Sequence, residues 1–152
     1  MVGMNSGTAT RVMTAAFALT ALVGLSACSS GDSGTSDDSS ENATACTDFE
    51  TTYDQFTALV KAGPADTDVQ TWTDAKTAEM QKFQPLADTA TGDVESSLST
   101  LIGALPADSL ELTEPDSSSG QAFVDNSTAV VDACSAAGTA ITLDEFPLVK
   151  FN

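Results

Sequence analysis

Residues 46–64 read CTDFETTYDQFTALVKAGP, and this stretch predicts the fold. A capping box at Thr47–Glu50 indicates the start of a helix, and Gly63-Pro64 is a stop signal. Apolar residues recur between them every three or four positions, which places them along one face of the helix. We therefore predict a helix from Thr44 or Thr47 to Ala62. The apolar positions are Cys46, Phe49, Tyr53, Phe56 and the pair Leu59/Val60.

Three further stretches of the chain have the same helical periodicity. In the second, Pro85 removes a backbone donor and clashes with the preceding turn, so the helix bends there or ends at Gln84. The third has the most regular apolar stripe and is followed by Pro106. Capping boxes at Thr67–Gln70 and Ser118–Gln121 indicate where the second and fourth begin. The three predicted helices cover residues 67–89, 92–105 and 118–138. Their stripes include Lys76 in the second, Val94, Leu98 and Leu101 in the third, and Ser127 in the fourth.

The cysteines suggest how these helices are joined. Cys46 lies on the apolar stripe of the first helix and Cys134 on that of the fourth, so antiparallel packing would bring them together. In an oxidising compartment such a pair usually forms a bridge, which would stabilise the fold by about 4–5 kcal/mol. A redox pair is the alternative, but it usually has closer C-x-x-C spacing and a thiol pKa lowered by nearby positive charge. We predict a small all-α four-helix bundle over residues 45–138, stapled by a Cys46–Cys134 disulfide.

Charge and composition exclude several function classes. The chain has 22 acidic and 5 basic residues, no histidine and a net charge of −17. Nucleic acid is a poor partner for it, because Lys and Arg neutralise phosphates in such complexes. Without histidine, Ser-His-Asp and Cys-His catalysis and histidine-ligated zinc are impossible. We predict no catalytic residue, no cofactor site and no metal site.

The first 27 residues have the pattern of an export signal. Arg11 is followed by the uncharged stretch Val12–Leu25, which is shorter than the roughly 20 residues that span a bilayer. Leu25-Ser26-Ala27-Cys28 comes at its end. This sequence resembles the lipobox of bacterial lipoproteins, in which the cysteine thiol receives a diacylglycerol. The resemblance implies that residues 1–27 are removed and that Cys28 becomes the lipidated first residue. An ordinary secretory signal and a retained membrane helix are the alternatives.

Two polar or irregular segments flank the predicted bundle. Residues 29–45 read SSGDSGTSDDSSENATA and contain no aromatic or large aliphatic side chain, so they cannot offset their chain entropy by burial. We predict that residues 28–44 are a lipidated cysteine and a disordered acidic tether. Residues 139–152, TAITLDEFPLVKFN, are rich in apolar residues. We expect this tail to pack against the domain or to be partly disordered; the alternative is a binding element for a partner.

The layout as a whole is similar to small, acidic lipoproteins of actinobacterial type, in which a lipobox and polar linker precede a helical domain with one cysteine near each end. Many such families have no assigned activity, so the resemblance implies location and fold but no chemistry. We predict a non-catalytic module, anchored through Cys28 on the extracytoplasmic face of the cell membrane, with an unidentified envelope protein as a possible partner. The alternative is a small-ligand carrier or a carboxylate-based envelope enzyme, with a pocket lined by Tyr53, Trp72 and acids.

Overall fold

The computed structural model describes residues 35–64 and 68–150, all within one compact unit, Asp32–Asn152. The predicted signal peptide, Cys28 and residues 29–34 of the predicted tether lie outside the described residues. Over the described ranges the secondary structure is entirely helical, as predicted. The elements are α1 (Thr35–Ala62), α2 (Val69–Gln81), α3 (Gly92–Ala104) and α4 (Ser118–Ala136), with short 3₁₀ turns at Ala87–Thr89 and Ser109–Leu112.

Helix α1 begins earlier than the sequence predicts. Residues 38–44 are predicted to lie in the disordered tether, and this is wrong because they belong to the first turns of α1. Small and polar side chains hold these turns against the domain. Asn42 Oδ1 accepts a hydrogen bond from the Thr91 backbone N–H at 2.8 Å, and Ala45 is fully buried. Thr44 donates its hydroxyl to the Ser40 carbonyl within the helix at 3.1 Å.

The ends of the other helices follow local capping chemistry. Asp68 begins α2, its carboxylate accepting the Thr71 N–H at 2.9 Å, and the helix ends at Gln81, before Pro85. The N-cap of α4 is Ser117, one residue before the predicted capping box, and its hydroxyl accepts the Gly120 N–H at 2.8 Å. Helix α3 ends one residue earlier than predicted, at Ala104.

An aromatic cluster forms the centre of the core. It is built from α1, α4, the connection after α2 and the C-terminal tail. Neighbouring rings lie with centroids 5.1 to 6.2 Å apart in stacked, tilted and edge-to-face arrangements. On α3, the predicted stripe residues Val94, Leu98 and Leu101 are buried beside the cluster. The aromatic cluster consists of Phe49, Tyr53, Phe56, Phe83, Phe123 and Phe146.

The predicted disulfide is present. Cys46 and Cys134 are both fully buried, with Cα atoms 5.9 Å apart. The bridge joins α1 to the last turns of α4, which ends in a Schellman motif: Thr139 N–H donates to the Cys134 carbonyl at 2.8 Å, and Gly138 adopts φ 95°. The chain therefore leaves α4 close to the bridge.

Residues 139–150, called here the C-terminal segment, fold back onto the bundle, so the packing prediction for this part of the tail is confirmed. Ile141 and Phe146 are buried, and the Phe146 ring stacks on Phe56 with a centroid distance of 5.9 Å. Two backbone N–H groups of the segment are bound by α1. Thr142 N–H donates to Glu50 Oε1 and Asp144 N–H to Asp54 Oδ1, each at 2.9 Å.

Candidate ligand groove between α4 and the C-terminal segment

A groove of about 540 Å³ runs between α4 and the C-terminal segment. It exists because the segment crosses back over the bundle without filling the space beside α4. This volume lies within the range of small-molecule sites, roughly 300–1,000 Å³. The walls are mostly aliphatic. They are formed by Val124 and Val131 of α4 and by Leu143, Pro147 and Leu148 of the segment.

One polar group of the groove is incompletely satisfied. Ser127 lines the groove, and its side chain is only 1% exposed. Its hydroxyl finds no hydrogen-bond partner in the part of the chain that the structure describes. Leaving a buried hydroxyl unpaired costs about 1–3 kcal/mol, so this position opposes folding.

Tyr53 supplies the second polar group and an aromatic surface. Its ring lines the groove, is 3% exposed and stacks on Phe123 with centroids 5.4 Å apart. Burial raises the pKa of the phenol to about 12 against the opposing effect of the Thr57 hydroxyl, and the nearby charges of Asp54 and Asp144 raise it by smaller amounts. The hydroxyl therefore stays neutral at physiological pH and can donate or accept a hydrogen bond.

The rim of the groove is charged. Asp144 and Glu145 are exposed there, and Lys150 is the cation among the lining residues. Lys61 approaches Asp144 at 3.9 Å, the outer limit of an ion pair between exposed groups. Lys150 Nζ lies 3.5 Å from Gln121 Oε1. The two carboxylates at the rim are therefore accompanied by two lysines, so the charges there nearly balance.

Trp72 lies in a different cluster from Tyr53, so the pocket lined by both residues that would favour the carrier or enzyme alternative is not formed. Its indole N–H donates to the Leu59 carbonyl at 3.1 Å, and its ring lies 3.9 Å below the Lys76 ammonium group. Lys76 is fully buried and donates to Thr113 Oγ1 at 3.2 Å. Desolvation lowers the Lys76 pKa, against a smaller opposing effect of Asp108. This cluster joins α2 to the segment that follows α3.

Ser127 and Lys76 both lie at helical spacing on the predicted apolar stripes of their helices, and the sequence analysis does not identify either as a site residue. In each case the sequence feature that could have marked the position is a polar side chain on an otherwise apolar stripe. Cys28, the predicted lipidation site, lies outside the described residues. Cys46 and Cys134 form the bridge and line no part of the groove.

The described ranges contain no helix long and apolar enough to span a bilayer. They also contain no group of three or more histidine, cysteine, aspartate or glutamate side chains arranged to hold a metal ion. Comparison with known proteins finds no matching family model, no matching curated protein and no matching solved structure. The chain's own residues therefore carry the functional argument.

Proposed function

We propose that this chain is a lipid-anchored, non-catalytic binding module on the extracytoplasmic face of the cell membrane. The observation that carries the proposal is the lipobox-like sequence Leu25–Cys28 in a chain whose other two cysteines are bonded to each other. Because Cys46 and Cys134 are consumed by the bridge, Cys28 is the one cysteine left for acylation. In this proposal the membrane is reached through the lipid on Cys28.

The disulfide supports the extracytoplasmic location. Disulfides persist in oxidising compartments and are rare where thiol reductants are abundant. The bridge between Cys46 and Cys134 is fully buried between two helices, which is typical of a structural bridge. The cysteines of redox-active sites are usually partly exposed, whereas these two are buried. A structural disulfide is therefore favoured over a redox pair.

The groove supports a binding role. It combines aliphatic walls with a small number of polar groups, the composition that small-molecule sites share. A carboxylate-based hydrolase receives less support, because it needs two carboxyl groups held in a cleft, whereas Asp144 and Glu145 are exposed at the rim.

The anchor is tested by the intact mass of the full-length protein extracted from membranes, measured before and after reduction. We expect a chain that begins at Cys28, carries acyl groups and gains two hydrogens on reduction. Cys28→Ala should abolish acylation, whereas the neighbouring Ser29→Ala should retain it. An unacylated native protein, or acylation that persists in Cys28→Ala, would contradict the proposal.

A further inference from the structure

We propose that the C-terminal segment receives a short extended peptide of another protein, which pairs as a strand with residues 141–145 and lies in the groove beside α4. This inference names a partner class for the binding role proposed above, and it rests on the groove being the binding surface. It is independent of whether Cys28 is lipidated. Two features carry it: the open backbone edge of the segment and the aliphatic wall beside that edge.

One edge of the segment is bound by α1 and the other is open. Thr142 and Asp144 donate their backbone N–H groups to carboxylates of α1. N–H groups alternate in direction along an extended chain, so those of Leu143 and Glu145, which line the groove, point away from α1. Neither of these two N–H groups has a hydrogen-bond partner within the described ranges. Residues 141–145 thus present the unpaired donors and acceptors of an edge strand.

The open edge suits a partner stretch of about five residues. Burial alternates along residues 141–144, from the buried Ile141 to the half-buried Leu143 with exposed side chains between them, as in a strand with one face on the core. Over residues 141–145 an extended chain covers about 13 Å. Pro147 has no N–H group, so the edge cannot continue as a ladder past that residue.

The wall beside the open edge selects apolar side chains. Val124 and Val131 of α4 line the groove, and both are half-buried. A strand placed along residues 141–145 would lie between this wall and the segment and would remove apolar surface from water on both. In strand addition, main-chain hydrogen bonds provide affinity and contacts with alternate side chains provide specificity. The partner peptide is therefore extended and apolar at alternate positions.

Charge disfavours a second copy of this chain as the occupant of the groove. An antiparallel pair of segments that uses the open N–H groups of Leu143 and Glu145 would place Asp144 of one copy directly opposite Asp144 of the other. Like charges in directly opposite positions destabilise a strand pair. Two chains that each have a net charge of −17 also repel each other. The charges at the rim nearly balance, so the groove accepts an uncharged peptide.

The probe is the hexapeptide acetyl-TVTVTV-amide, which has high strand propensity, no charge and apolar side chains at alternate positions. Residues 32–152 form a compact unit that contains the whole core, the disulfide and the groove, so this part of the chain can be used without the anchor. The hexapeptide is titrated at neutral pH, below its aggregation concentration, while amide shifts are followed by two-dimensional NMR. We expect the Leu143 and Glu145 amides to shift most and to exchange more slowly with solvent, because they gain partners. Absence of any shift along residues 141–145 would overturn the proposal.

N-methylated peptides test whether the backbone carries the binding. One analogue is methylated at the three valine N–H groups and the other at the three threonine N–H groups, so each blocks a different edge of the same strand. The analogue blocked on the edge that faces the segment should bind about tenfold more weakly, and the other should bind like the unmodified hexapeptide. Equal affinity of all three peptides would contradict strand pairing. Acetyl-TNTNTN-amide should also bind more weakly, and equal affinity for it would contradict the apolar partner.

Matched variants of one exposed residue test the edge. Glu145→Pro removes an open N–H group, keeps both N–H groups that α1 binds and suits the extended backbone before it, so it should weaken hexapeptide binding about tenfold. Glu145→Ala keeps the N–H group and should bind like the parent, while hydrogen exchange at Thr142 checks that the segment stays in place. Undiminished binding by Glu145→Pro would overturn the proposal, and so would dimers of the parent that pair through residues 141–145. Since the intact mass does not depend on this edge, failure of the hexapeptide is distinguishable from failure of the anchor.

Discussion

Lys76 holds an ammonium group inside the protein with no carboxylate within ion-pair distance in the described ranges. Its contacts are the hydroxyl of Thr113, the backbone carbonyl of Ser109 at 3.5 Å and the face of Trp72. These contacts compensate only part of the lost hydration, which is why desolvation lowers the Lys76 pKa. The charge therefore opposes folding, while the long aliphatic stem of the side chain fills space and stabilises the fold.

Replacing Lys76 separates these two effects. Lys76→Met keeps the stem and removes the charge, so we expect the free energy of unfolding at pH 7 to be unchanged or higher by about 1–2 kcal/mol. Lys76→Ala also removes the stem and should lower the free energy of unfolding by about 2–4 kcal/mol.

The pH dependence gives a second test of the buried charge. Because the folded-state pKa of Lys76 is lowered, the unfolded chain binds more protons below pH 10.5, and the parent gains stability as the pH rises toward that value. Urea unfolding at pH 7 and pH 9.5 should therefore show a smaller advantage for Lys76→Met at the higher pH. A methionine variant as unstable as the alanine variant would contradict this account.

Tyr53 makes the protein sensitive to alkaline pH. Burial raises its pKa to about 12 in the folded protein, whereas an unfolded tyrosine titrates near 10. Below pH 10 the phenol is neutral in both the folded and the unfolded protein, so its burial does not reduce stability there. Between pH 10 and 12 only the unfolded chain ionises, so stability falls by about 2–3 kcal/mol across this window. Tyr53→Phe should lack this part of the alkaline loss in urea unfolding. Tyr53 is the chain's one tyrosine, so tyrosinate absorbance reports it directly, and a midpoint near 10 in the folded protein would contradict the prediction.

At the scale of elements, the C-terminal segment makes regularly spaced hydrogen bonds to helix α1, much as it would to a neighbouring strand. Glu50 and Asp54 are four residues apart on α1, which separates them by about 6 Å along the helix axis. Thr142 and Asp144 are two residues apart in the segment, and an extended chain advances about 6.7 Å over two residues. The two spacings match, so successive carboxylates on one face of α1 can accept alternate N–H groups of the segment.

Removing these two acceptors should loosen the segment. The double variant Glu50→Ala, Asp54→Ala leaves both N–H groups to water, and we expect a loss of about 1–3 kcal/mol in stability. Hydrogen exchange at the Thr142 and Asp144 amides should accelerate, while core amides of α3 should exchange at rates set by global stability. Asp48→Ala, an exposed acid on the same helix, is the control and should leave both amides protected. Unchanged exchange in the double variant would show that the packing of Ile141 and Phe146 holds the segment without these two hydrogen bonds.

The helices also show how much of the fold can be predicted from the sequence alone. Helix α3 is predicted within one residue because its apolar stripe is regular and Pro106 limits its extent. The start of α1 is missed because residues 35–44 have no apolar stripe, and the contact that holds them, Asn42 to Thr91, joins distant parts of the chain. The groove is missed for the same reason. Ser127 occupies an ordinary stripe position, and only the return of the C-terminal segment places it beside a cavity.

At the scale of the whole molecule, the disulfide and the hydrogen bonds that hold the C-terminal segment lie along the same side of α1. Cys46, Glu50 and Asp54 are spaced by four residues, so they follow one another along the same side of α1. The bridge holds the end of α4 at Cys46, and the chain then turns and runs past Glu50 and Asp54. The position of the bridge thus directs the segment over the aromatic cluster, and the segment forms one wall of the groove.

This arrangement predicts that loss of the bridge affects the groove as well as stability. The double variant Cys46→Ala, Cys134→Ala should lose about 4–5 kcal/mol on the chain-entropy account, a large share of the 5–15 kcal/mol typical of a domain. Under conditions where it still folds, such as low temperature, we expect the Thr142 and Asp144 amides to lose protection before those of α3. Chemical reduction of the parent should reproduce this loss of protection. Cys28→Ala is the control, because it removes a cysteine and leaves the Cys46–Cys134 bridge intact. If the bridge-free protein loses stability uniformly and keeps the segment amides as protected as those of α3, the bridge constrains only the unfolded chain and does not direct the segment.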